Sequence, residues 1–190
     1  GVAIARGEYL MRLDEHIMMC KGYDRILLSE IEDSWIVVAR QYQLDPVLWE
    51  RLPDAPIDCC KLVIDQERNK FTGQPWRSRS EEMKDVMIYE TMAMQGSFWC
   101  LKHSWWDKVI QELQIEGYGP HYGDSHEMIF KTWQSGGKMM LNKNAWFAHR
   151  HRSFGRTHHY PGEKAQKEWA YAVEKWKPYY DEVIRPLWKV

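Results

Sequence analysis

The 190 residues are 44% hydrophobic and 28% charged, an ordinary balance for one packed globular domain. A formal net charge of −1 gives no general electrostatic pull toward nucleic acid or anionic membrane. No apolar run is long enough to span a bilayer. The excess lies in aromatic residues, 11 Trp and 10 Tyr. Such rings build a core, and where they line a groove they suit sugar faces as well as protein interfaces.

Taken in chain order, the pattern predicts alternating strands and helices. Glu8 to Leu13 (EYLMRL) reads as a short buried strand ending at Asp14. Tyr23 to Ile31 has helical spacing of Ile26, Leu27 and Ile31. Trp35 to Ala39 (WIVVA) is a β-branched run and hence a strand. Asp45-Pro46 marks a turn or helix start. Leu62 to Ile64 suggests a further strand, and the polar FTGQPWRSRS of Phe71 to Ser80 a loop. Met92 to Leu101 reads as a strand kinked at Gly96, followed by a helix over Ser104 to Leu113.

A glycine-rich loop runs from Gly117 to Gly123, and an amphipathic helix over Ser125 to Gln134 stops at Gly136-Gly137. Met139-Met140 and Ala145 to Ala148 read as strands. Glu163 to Trp176 forms a final helix before Pro178 and a short aromatic tail. Alternating elements of this kind predict an α/β layered fold.

Four cysteines, Cys20, Cys59, Cys60 and Cys100, form no C-x-x-C pair. Reduced thiols and a cytoplasmic location are the simplest expectation, although the chain opens on Gly1 rather than Met and a targeting segment upstream would escape notice.

Three short motifs carry chemistry. Leu13-Asp14-Glu15-His16 places a carboxylate and an imidazole two residues apart at a strand end, where both can turn toward one cation. Oxygen and nitrogen ligands suit Mn²⁺ or another divalent ion. Alone the tripeptide is weak, because D-x-H arises often by chance and serves equally as a turn. Trp146-Phe147-Ala148-His149-Arg150-His151-Arg152 again ends an apolar strand in histidine. Its bland reading is a basic surface patch. Its functional reading is a third metal ligand, His149, with Arg150 and Arg152 shaped for phosphate oxygens. Gly123-Asp124-Ser125-His126-Glu127 opens a helix. Asp124 or Ser125 would cap it and Glu127 would suit its first turn. A carboxylate so fixed also serves to orient or deprotonate an accepting hydroxyl. His158-His159, in a polar stretch before Pro161, read as exposed loop residues.

Together these stretches resemble a known group, the family 2-type glycosyltransferases of the GT-A fold and their relatives the polypeptide N-acetylgalactosaminyltransferases. ARGEYLMRLDEH resembles the A-x-G-x-x-L-x-F-L-D-x-H strand that ends in the metal motif. MQGSFWCLKHSWWDKV resembles the glycine-centred acceptor strand and the helix after it. GDSHEMIFKTWQSGGKMMLNKNAWFAHRHR is similar to the G-E-N-x-E-x-x-x-R-x-W-x-x-G-G helix and its following H-x-x-R. Gly22-Tyr23-Asp24 and WIVVARQYQLD are similar to compact bacterial and phage-type members.

The resemblance implies a GT-A (nucleotide-diphospho-sugar transferase-like) layered sheet with helices, holding Mn²⁺ through Asp14, His16 and His149. It implies Asp124 and Glu127 as the acidic pair of the catalytic helix, with Trp133 packing behind them. Asp124 is shorter than the Glu of the peptide-modifying relatives. In the family, nucleotide base and ribose sit mainly on strands preceding the D-x-H. Little chain precedes Asp14, so the chain is expected to be N-terminally truncated. Residues 1–160 would form the metal and acceptor part, and 161–190 a helix and tail packed on it.

The implied function is metal-dependent transfer of a hexosyl or N-acetylhexosaminyl group from a nucleotide-sugar donor to a glycan, protein or small-molecule acceptor, with no nucleic-acid partner. An open apolar strand edge would also invite self-association. Two other classes remain. One is a non-catalytic carbohydrate- or protein-binding remnant of the fold. The other is a metal-dependent hydrolase built on Asp14, His16, His149 and His151.

Overall fold

A computed structural model describes residues 1–111, 117, 124–150 and 162–190; of residue 124 it describes the backbone alone. After a 3-10 turn at Val2–Ile4, β1 (Tyr9–Leu13) leads through a tight turn into β2 (Ile17–Met19). There follow α1 (Tyr23–Leu28), β3 (Trp35–Asp45), β4 (Glu50–Arg51), β5 (Cys60–Asp65), β6 (Lys70–Pro75), α2 (Arg77–Glu82), β7 (Ile88–Glu90) and β8 (Phe98–Lys102). A short α3 (His103–Trp105) runs on as a π turn, Trp106–Ile110. The rest is α4 (Asp124–Gln134), β9 (Lys138–His149), α5 (Gly162–Tyr179), a second π turn at Tyr180–Ile184, and α6 (Arg185–Trp188).

The main sheet has the order β1-β8-β3-β9-β2. All its pairings are antiparallel except β3 with β9, which run parallel. Strand β7 shares with β2 the edge of β9 that faces away from β3: Met140 pairs with Val37 on one side and Glu90 on the other. Strands β5 and β6 form a separate hairpin.

Alternation along the strands assigns residues to two apolar layers. Ile36 and Val38 of β3, Trp99 and Leu101 of β8, and Met139 and Leu141 of β9 face a large core shared with α4, α5 and the β5–β6 hairpin. Val37 and Ala39, Phe98 and Cys100, and Met140 and Phe147 face a second cluster closed by Leu27 of α1. The central strands are thus buried on both faces, which is why WIVVA reads as a continuous apolar run rather than an alternating one. Tyr180 from the C-terminal π turn donates its hydroxyl to the Leu62 carbonyl at 2.7 Å and ties the last helices to the hairpin.

Several elements differ from the sequence reading, each for a physical reason. Phe71 to Ser80 is no loop: Phe71 is buried, and the polar residues after it pair with β5 up to Pro75, which closes the strand. Strand β3 runs on through the polar RQYQLD, where Gln41 is buried and Arg40 forms a bidentate pair with Asp58 at 2.6 and 2.7 Å. The Met139-Met140 and Ala145–Ala148 segments are one strand. Its pairing with β3 slips from Ala39↔Asn142 to Arg40↔Trp146, so Lys143, Asn144 and Ala145 bulge out. The buried Lys143 uses that bulge to donate to the Met83 and Lys84 carbonyls at the end of α2, at 2.9 and 2.7 Å. The tail after Pro178 is helical to Trp188.

Candidate metal centre

Three strand ends meet at one corner of the sheet. Strand β1 ends at Leu13, paired with Phe98, and the Asp14 amide donates to the Ser97 carbonyl at 3.0 Å. The chain then turns so that Ile17 pairs with His149, the last residue of β9. The Arg150 amide donates to the His16 carbonyl at 3.2 Å and locks that turn against the strand end. One ligand atom each from Asp14, His16 and His149 can be chosen so that all lie within 4.8 Å of one another. Asp14 Oδ2 is 3.6 Å from His149 Nε2, and the two imidazole rings are tilted with centroids 4.7 Å apart. The side chains of Asp14, His16 and His149 are 26, 33 and 13% exposed, so the cluster is sheltered without being sealed. A carboxylate and two imidazoles brought this close form a donor set that fits Mn²⁺ or a similar divalent cation.

Arg12 is a member of the site that the sequence reading missed. Its guanidinium reaches Asp14 Oδ1 at 3.3 Å and the Gly96 carbonyl. It stands where the strand motif carries Phe, two residues before Asp14 and therefore on the same strand face; that spacing was the available signal. Gly96 also fixes the place of α4. A Cβ added there would lie 3.2 Å from the Arg12 guanidinium and 3.6 Å from Ser125 Oγ. The first turn of α4 therefore sits beside Arg12 at the same corner as Asp14.

The other expected residues divide. Glu127 is 1% exposed and sits within α4, its carboxylate 3.2 Å from Lys131 Nζ and 3.8 Å from Lys175 Nζ of α5. Trp133 packs edge-on against Trp188 at the far end of α4. Arg150 is half-buried next to His16. The side chain of Asp124, the glycine-rich stretch 118–123, His151, Arg152, His158 and His159 lie outside the described residues. The cysteines are free; burial pushes the thiols of Cys59, Cys60 and Cys100 up, Cys60 to about 11 and Cys100 to about 12. None of the described helices is long and apolar enough to cross a membrane.

Comparison with solved structures decides the fold. A crystal structure of GalNAc-T7 with UDP, GalNAc and Mn²⁺ superposes with a TM-score of 0.73 over 97% of this chain, at 18% identity. The chain has the GT-A glycosyltransferase fold. It spans 36% of the GalNAc-T7 chain. No protein-family model matches the sequence, and no curated protein matches it. The α/β layered reading and the GT-A resemblance therefore stand as fold, on a structural likeness that sequence comparison alone does not register.

Proposed function

We propose that this chain holds a divalent cation, Mn²⁺ in the first instance, through Asp14, His16 and His149, and uses it to bind the diphosphate of a nucleotide-sugar donor for transfer of the sugar. The observation that carries the reading is the convergence of these three side chains from β1, the turn after it and the end of β9. The GT-A fold and a neighbour solved with UDP and Mn²⁺ support it. When bound, the cation would offset negative charge on the departing nucleoside diphosphate. Arg150 and Arg152 follow His149 directly in sequence and would add cationic donors for phosphate oxygens. Arg12, already turned toward Asp14, would add a further cationic group beside the site. Asp124, at the N-terminus of α4, would orient or deprotonate the accepting hydroxyl. Glu127, clamped between two lysines, would hold α4 in place for it.

Calorimetric titration with Mn²⁺, alone and with UDP, tests the reading. Saturable binding is expected, lowered about tenfold or more by Asp14→Ala and by His149→Ala, because each removes one of three protein ligands. Equal binding by all three proteins would remove the cluster from the function. Binding without sugar transfer in a donor and acceptor screen would favour a non-catalytic carbohydrate- or protein-binding role.

A further inference from the structure

At the opposite end of the molecule lies a second concavity, of ≈ 530 Å³, that the metal-centred reading does not use. It is lined by Trp76 at the entry to α2, Arg79 and Glu82 of α2, Glu90 of β7, Trp133 of α4 and Trp188 of α6. Four separate elements thus contribute to one wall. Its distance from the metal centre follows from the register. Glu90 is paired at Met140, opposite Val37 of β3, whereas His149 lies opposite Gln43. Six strand residues at about 3.3 Å each separate the two by roughly 20 Å.

Trp188 lies at the centre of the aromatic wall, its ring centroid 6.0 Å from Trp76 and 5.6 Å from Trp133, the latter edge-on at 88°. The Arg79 guanidinium lies 5.9 Å over the same ring. The indole N–H groups of Trp133 and Trp188 and the Nε–H of Arg79 are buried and meet no hydrogen-bond acceptor among the described residues. Carboxylate acceptors stand beside them: Glu82, held at 3.1 Å by Arg79, and Glu90, whose carboxyl burial holds above its ordinary range. Two acids face two bases, Arg79 and Lys189, so the wall has no net charge with which to select an ion.

We propose that this cavity binds an uncharged saccharide of one or two rings, at a site separate from the metal centre. Flat indole faces match the C–H faces of a pyranose, while the carboxylates accept from its hydroxyls and the cationic groups of Arg79 and Lys189 donate to them. The volume lies within the range of small-ligand sites. A GT-A domain with such a site would hold a glycan at one end of the sheet while another part of it, or a second glycan, lies near the metal corner.

Fluorine NMR on protein carrying 5-fluorotryptophan tests this, with cellobiose and N,N′-diacetylchitobiose as probes and inorganic phosphate as the anionic control. The Trp133 and Trp188 resonances, assigned by single Trp→Phe changes, are expected to move saturably with at least one disaccharide and not with phosphate. Glu90→Gln should weaken that response about tenfold, as a lost charge-assisted hydrogen bond does. Trp188→Phe, which keeps a ring, should weaken it less than Trp188→Ala. Asp14→Ala, which disables the metal centre, should leave it unchanged. The proposal is overturned by the absence of any saturable shift, by an equal response to phosphate, by a response unaffected by Glu90→Gln, or by one lost in Asp14→Ala. Because metal binding is not read in this experiment, its outcome is independent of the Mn²⁺ titration.

Discussion

Asp14 makes two contacts of opposite consequence. One oxygen meets the Arg12 guanidinium and the other approaches His149. A cation seated among Asp14, His16 and His149 would therefore share its only carboxylate among the three with a fixed positive charge. At a half-exposed site that repulsion is worth about 1 kcal/mol or less, several-fold in affinity. A diphosphate reverses the sign, because its oxygens gain from Arg12. Arg12→Met is accordingly expected to tighten Mn²⁺ binding measured alone and to weaken UDP binding measured at saturating Mn²⁺. Parallel changes in both titrations would show that Arg12 only shapes the turn. Asp14 and His149 were legible in the sequence because each ends an apolar strand. Arg12 was passed over because an arginine in the strand reads as a solvent-facing residue until Gly96 and Asp14 are seen on either side of it.

At the level of elements, the sequence is readable where burial is two-sided and faint where pairing is short. WIVVA and the Ser125–Gln134 helix carry their periodicity plainly. The three-residue strands Ile17–Met19 and Ile88–Glu90 do not, since three residues cannot display a period, and both depend on β9 for partners. The bulge in β9 was unreadable because Lys143, which needs it, finds its acceptors just after α2, far away in the chain. Gly136-Gly137 was legible as a helix stop, but the reason for the second glycine is tertiary. A Cβ on Gly137 would lie 2.5 Å from the Ser34 carbonyl oxygen, 2.6 Å from the Trp105 ring and 2.8 Å from Thr132. Gly137→Ala is expected to destabilise the protein by about 1–3 kcal/mol, the usual range for overpacking. Gly136→Ala meets no neighbour but is strained by a positive φ of 73°. Urea midpoints for the two variants separate crowding from backbone strain: a Gly137→Ala midpoint equal to wild type would show that β3 and α4 can part freely there.

For the whole molecule, the two ends of the main sheet are unequal. The β9 edge is shared by β2 and β7, while β1 is paired on one side only, with β8, among the described residues. Unpaired backbone groups along Tyr9–Leu13 offer a template for another strand. Reversible self-association is therefore expected at high micromolar concentration, and a single monomeric species in sedimentation velocity would count against it. The parallel β3–β9 pair at the centre has a different consequence. It joins residues 35–43 to residues 138–149, so the sheet cannot close until nearly the whole chain has been gathered. The candidate ligands span the same interval, from residue 14 to residue 149. A contact of such long sequence separation forms late and at a high cost in chain entropy. The nascent chain would thus carry two of the three ligands, and a bound ion would stabilise chiefly the finished fold by mass action. In that sense the ion would report the completion of folding before it takes part in any chemistry.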